Sequence, residues 1–175
     1  MSLAKTFIDS YIKRASYYKE LCDKTFAQLN ELHFHYHPGE ESNSIAVIIQ
    51  HMHGNMMSRF TNFLTEDGEK TWRNRDTEFD EQKLSREQLL QKWEEGWDCF
   101  LNAVKNLSDD DLLKTITIRS EQLTVIDALN RQLSHYPYHA GQIVYIGRMI
   151  KGSLWEPLSI AKGKSDDYNL KMNHK

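Results

Sequence analysis

Apolar residues return every three or four positions along four separate stretches of this 175-residue chain, and only three prolines, at 38, 137 and 157, interrupt it. That spacing follows the 3.6-residue turn, so it commits the chain to long amphipathic helices. In the first stretch Ala4, Ile8, Tyr11, Ala15, Tyr18, Cys22, Phe26 and Leu29 make one stripe, and Pro38-Gly39 ends it in a turn. The second should start at Asn43 or Ser44, both good caps. Its stripe runs through Ile45, Ile48, Ile49, Met52, Met56, Phe60 and Phe63 and stops near Thr65. The third opens on Ser85 with Gln88 three residues on, a capping-box pattern, and buries Leu90, Trp93, Trp97, Phe100, Leu101 and Val104. The fourth is capped by Thr124 ahead of Asp127, carries Leu129, Leu133, Tyr136, Ala140, Ile143, Gly147 and Ile150, and ends at Gly152.

The connections are legible too. Residues 66–84 are polar and charge-rich and read as a long surface connection, of a length that is often functional or mobile. Ser108 followed by three aspartates opens a short turn. Residues 114–119 then alternate β-branched side chains and pair with 122–125 as a hairpin, an appendage too small to stand alone. The tail from residue 153 is polar, with Leu154, Trp155, Leu158 and Ile160 as its apolar anchors, and is expected to lie across the surface. Four amphipathic helices with one long crossing connection describe an all-α helix bundle, here one domain over residues 1–175.

Composition narrows the function. Hydrophobic residues at 39% and charged ones at 27% belong to a globular chain. A net charge of −3 argues against nucleic acid or an anionic membrane as partner. No apolar run approaches the roughly 20 residues of a membrane span. Residues 1–5 lack a signal-peptide layout, so a cytoplasmic protein is expected. The two cysteines, Cys22 and Cys99, both fall in helical patterns and read as free thiols rather than a disulfide.

The eight histidines, at 33, 35, 37, 51, 53, 135, 139 and 174, are not equivalent. His135 and His139 stand four residues apart, about 40° around a helix and one turn along it. Imidazoles so placed can share a metal ion, although the same spacing suits two polar residues at a core boundary. Pro137 between them removes the hydrogen bond to the Leu133 carbonyl, at a cost of about 3 kcal/mol unless compensated. It predicts a bend where the two rings would be aimed. For a third ligand the second helix offers His51 or His53, about 200° apart and on opposite edges of the apolar stripe, and periodicity does not choose between them. His33-Phe34-His35-Tyr36-His37 alternates ahead of Pro38-Gly39 and reads as an exposed helix end rather than a metal site.

A resemblance adds to this. The run Asn43-Ser44-Ile45-Ala46, then His51-Met52-His53-Gly54-Asn55-Met56-Met57-Ser58-Arg59-Phe60 and Phe63-Leu64-Thr65, resembles one branch of the DinB-like (damage-inducible, YfiT-related) metal-binding superfamily. The likeness continues through Asp67-Gly68-Glu69-Lys70, Trp72-Arg73-Asn74-Arg75-Asp76 and Glu78-Phe79. It returns at His135, at Tyr138-His139-Ala140-Gly141-Gln142-Ile143, at Leu158-Ser159-Ile160 and at Gly163-Lys164-Ser165. It spans most of the chain. The motif of the fourth helix is general to the superfamily, and those of the loop and tail are more specific. The resemblance implies a four-helix bundle of up-down-down-up connectivity, a homodimer, and one metal held by a histidine of the second helix and the pair on the fourth. The first histidine of the second helix matches the pattern, so the implied ligands are His51, His135 and His139, with His53 a spectator. Some relatives are similar to S-transferases using low-molecular-weight thiols, others to a thiol-dependent isomerase or metal-dependent hydrolases. Fold likeness does not supply a substrate.

Three histidines on one divalent ion leave coordination positions open, as catalytic sites do. Such an ion lowers the pKa of a water or thiol, which suits hydrolysis and thiol transfer alike. Imidazole accepts zinc, nickel, iron or manganese, so the metal is not readable, and no catalytic side chain is identified. Gln142, nearly in line with His135 on the helix, is the candidate to line the site, or else bonds to solvent or a partner helix. Arg73 and Arg75 are potential anion binders, but Asp76, Glu78 and Asp80 nearby point to an internal salt-bridge network. The methionine and aromatic stripe is core. The function is therefore a metal-dependent enzyme acting on a small molecule, with a low-molecular-weight thiol or as a hydrolase, or else a stress-associated protein in which the metal only secures the bundle.

Overall fold

Helix α1, Leu3–Phe26, opens where the Ser2 hydroxyl accepts the Lys5 amide at 3.1 Å. A computed structural model describes residues 2–172, so His174 lies outside the described residues. α1 stops at Phe26, short of the expected Leu29. Asn30 then caps a one-turn helix α2, Glu31–Phe34, in a capping box with His33, whose Nδ1 accepts the Asn30 amide at 3.1 Å. Such local side-chain bonds compete with helix continuation and leave no mark on apolar periodicity.

Ser44 is the cap of α3, Ile45–Phe60, its hydroxyl accepting the Val47 amide at 3.2 Å. The helix ends before the expected Thr65. Thr61 is extended and Asn62 takes a left-handed φ of 50°. Phe63 still packs on Phe60 with ring centroids 4.9 Å apart, so the stripe outruns the helix. The capping box of Ser85 and Gln88 starts α4, Arg86–Lys105. Strands β1, Thr115–Ile118, and β2, Glu121–Thr124, pair antiparallel with Thr115 opposite Thr124 and Ile118 opposite Glu121. Thr124 caps α5, Val125–Lys151, which continues past Pro137 to Gly152 at φ 52°. In the tail a further helix, α6, Ser165–Met172, was not anticipated.

α1 packs against α5 and α3 against α4, with α1–α4 and α3–α5 contacts joining the pairs. Gly147 permits the first of these approaches, since a Cβ there would lie 2.5 Å from Thr25 Cγ2. Tyr11 adds a 2.7 Å hydrogen bond from its hydroxyl to the Leu129 carbonyl. Between the helices Trp97 meets Trp93, Phe100 and Tyr136, all 2% exposed or less. Among the described residues no helix is long and apolar enough to cross a membrane.

The 66–84 connection runs mostly over the surface, as expected, but it is tied to the hairpin. The hairpin turn uses Arg119 and Ser120 at φ 54° and 64°, the geometry of a two-residue primed turn that normally favours Asn or Gly. Both turn amides donate to the Asp67 carboxylate, at 2.9 and 3.0 Å, and the Gly68 amide donates to the Thr117 carbonyl at 2.8 Å. The connection thus binds the hairpin turn, and Lys70 and Glu78 within it are buried.

This core should hold without an ion. Each large apolar side chain contributes about 1.5–3 kcal/mol on burial, unlike small domains whose metal supplies the folding energy. Chelator-treated protein should keep its far-ultraviolet helical signal at room temperature and unfold in one cooperative transition. Loss of that signal on adding chelator would assign the metal a structural role.

Candidate metal centre

α3 carries His51, and α5, packed against it, carries His135 and His139 one turn apart. The three rings meet edge to face, with centroids 4.7–5.4 Å apart. His135 Nε2 lies 3.0 Å from His139 Nε2 and 3.3 Å from His51 Nε2, and one nitrogen from each ring falls within 4.8 Å of the others. Nitrogens held at about 2.0–2.1 Å around a tetrahedral ion stand about 3.3 Å apart.

Two of the outward nitrogens are occupied in a way that sets their tautomers. His51 Nδ1–H donates to Glu78 Oε2 at 2.9 Å, and an ionised carboxylate only accepts, so the proton belongs on Nδ1 and the lone pair on Nε2. Glu78 is in turn gripped by the Arg73 fork, Nε to Oε1 at 2.7 Å and Nη2 to Oε2 at 2.9 Å. His139 Nδ1–H donates to Gln142 Oε1 at 2.8 Å, which turns its Nε2 lone pair inward as well. Partners on the far nitrogen of this kind orient metal-binding histidines and raise their basicity.

Electrostatics agree with that arrangement. Burial, joined by the neighbouring His139 and His51, pushes His135 down to about 3. Burial takes His139 down to about 4 against the pull of Gln142. Both are therefore neutral at physiological pH, the form that binds metal. At Glu78 burial opposes ionisation, but the hydrogen bonds from His51 and Arg73 and the Arg73 charge outweigh it and hold the carboxyl below its usual range. The donor set, one ring nitrogen from each of three histidines, fits one divalent first-row ion. Among the described residues no further His, Cys, Asp or Glu joins the group.

The other candidates are elsewhere. His53 points away, its Nε2 3.4 Å from Glu95 Oε2 without the alignment of a hydrogen bond. His35 and His37 clasp Glu81 from both sides at 3.1 and 3.0 Å, tying the connection to the chain after α2. Cys22 is buried, Cys99 is half-buried 3.8 Å from the Thr61 hydroxyl, and both are free. Gln142 is half-buried at the site, its Oε1 accepting from His139. Arg73 does enter a salt-bridge network with Glu78, but that network reaches the centre through His51, which the charge pattern did not reveal.

Sequence reasoning missed Gly54. It lies one turn beyond His51, and a Cβ there would overlap the Glu78 carboxyl group. A glycine inside a helix one turn from a histidine was the available signal for this close approach. It missed Asn55 and Gln132 as well. They line, with His51 and His135, a cleft of about 200 Å³.

A family described as "Protein of unknown function (DUF1572)" matches residues 2–164 of the chain. No curated protein matches it.

Proposed function

The chain belongs to the DUF1572 family, and we propose that it is a metal-dependent enzyme in which His51, His135 and His139 hold one divalent ion and a low-molecular-weight thiol is transferred to a small electrophile. In this reading it is a single DinB-like four-helix bundle, homodimeric and cytoplasmic. The observation that supports it is the meeting of one ring nitrogen from each of the three histidines within 4.8 Å beside a cleft, with Glu78 and Gln142 holding two of the far nitrogens.

A bound divalent ion supplies Lewis acidity that makes a nucleophile available near neutral pH. The chain's own residues do the rest. Glu78 accepts a hydrogen bond from His51 Nδ1–H and fixes that ring, Arg73 fixes Glu78, and Gln142 does for His139 what Glu78 does for His51. Neither cysteine is a source of thiolate. Burial pushes both thiols up, and neither belongs to the histidine group. The nucleophile therefore comes from outside the chain, a free thiol in the transferase or water in a hydrolase.

Cobalt- or nickel-substituted protein tests this. Small thiols should produce a sulfur-to-metal charge-transfer band whose pH midpoint lies below the roughly 8.5 of a free thiol. Thiols that only inhibit an esterase or amidase activity would replace the transferase by the hydrolase. A spectrum untouched by thiols, azide or any other small ligand means a closed site and removes the enzyme reading altogether.

A further inference from the structure

The cleft beside His51 and His135 is walled by Arg59, Arg73, Arg75, Arg119 and Arg131, and no acidic side chain lines it. The carboxylates behind it do not balance these five cations. One oxygen, Glu69 Oε2, is shared by Arg59 Nη1 at 2.8 Å, Arg119 Nε at 3.1 Å and Arg73 Nη1 at 3.4 Å. Glu78 is taken up by Arg73 and His51. At the rim Arg131 leans on Glu121 at 3.2 Å, and among the described residues Arg75 has only Asp76 at 3.9 Å and the face of Phe79 at 5.0 Å. Glu121 is 62% and Asp76 97% exposed, so water and salt screen both pairs. Positive charge in a concave wall, short of counter-charge, raises the local concentration of small anions.

A second feature of the wall is neutral. Gln132 is 3% exposed, yet its carboxamide oxygen has no hydrogen-bond partner among the described residues. Asn55 beside it spends its oxygen on the Tyr136 hydroxyl at 3.1 Å, which leaves its amide nitrogen to donate. Buried polar groups are seldom left unpaired, but an amide oxygen takes an N–H or O–H donor and not an anion, so the neutral donor this wall offers an anion is the Asn55 amide.

We propose that this cleft is an oxyanion subsite, in which Arg75, Arg119 and Arg131, with the Asn55 amide nitrogen as a neutral donor, seat a phosphate or carboxylate group of the substrate next to the three-histidine point. Guanidinium forks match both anions in two-point contacts. The 200 Å³ volume suits one small anionic group rather than a polymer, in keeping with the chain's net charge of −3. That the seated molecule reacts there rests on the metal-enzyme reading, whereas the anion subsite stands on the arginines alone.

Inorganic phosphate and malonate are the probes, titrated calorimetrically at constant ionic strength into metal-loaded and chelator-treated full-length protein. At least one should bind saturably in both forms, and the stronger of the two tells a phosphate from a carboxylate substrate. Arg75→Gln and Arg131→Gln should each weaken it about tenfold or more, the effect of losing a charge-assisted bond. Arg75 and Arg131 are about half exposed, so both variants should keep the wild-type far-ultraviolet spectrum. No saturable binding of either probe, or binding indifferent to both substitutions, overturns the subsite even if the protein takes up metal. Saturable, arginine-dependent binding by a protein that takes up no metal supports the subsite and sinks the three-histidine reading instead.

Discussion

Protein carrying His135→Ala or His139→Ala should emerge from purification without stoichiometric divalent metal. These rings sit one turn apart on α5 with Nε2 atoms 3.0 Å from each other, and His135 Nε2 also lies 3.3 Å from His51 Nε2. Removing either leaves two nitrogens, too few to hold a labile first-row ion through gel filtration. His51→Ala should weaken binding at least about tenfold, and more if Glu78, having lost its acceptor role, draws the loop away. His53→Ala should leave the metal content unchanged, because its ring turns toward Glu95 on α4. Elemental analysis of untagged protein reads all four variants. Equal metal loss from His53→Ala with none from His51→Ala would refute the assignment.

Arg73→Ala should be the most damaging single change outside the apolar core. The Arg73 side chain is 1% exposed and grips both oxygens of Glu78, itself 9% exposed. Truncation leaves a buried carboxylate with only His51 as partner, a loss of about 3–5 kcal/mol. The urea midpoint should fall accordingly, and metal affinity should drop about 10–100-fold as the orientation of His51 slackens. Glu78→Gln added to Arg73→Ala should recover part of the stability, since it removes the stranded charge. Arg73→Lys should rescue poorly, because an ammonium cannot reproduce the fork. A destabilisation under about 1 kcal/mol with unchanged metal affinity would show that the Arg73–Glu78–His51 chain is incidental.

The difference between these predictions follows the way each feature is encoded. His135 and His139 meet because helix geometry alone sets residues four apart on one face, so their pairing was readable once α5 was recognised. The caps at Ser44, Ser85 and Thr124 were readable for the same reason, each bond spanning three residues. His51 against His53 was different. Periodicity placed both at the edges of the stripe, only the family likeness favoured His51, and the rotation of α3 against α5 brings His51 to the pair.

Local sequence thus determined the long helices, their starts and the two-histidine face, because hydrogen bonds and side-chain spacing within a turn depend on near neighbours only. Tertiary structure alone decided the rest. Glu78 reaches His51 from 27 residues away, Asp67 holds the hairpin turn across 52 and 53, and five arginines from four separate parts of the chain come to share one cleft. Those contacts depend on how the 66–84 connection folds back over α3 and the hairpin. A run of charged residues does not specify that path, because the same charges are equally well satisfied by water until Gly54 and the turn amides give them somewhere to bind.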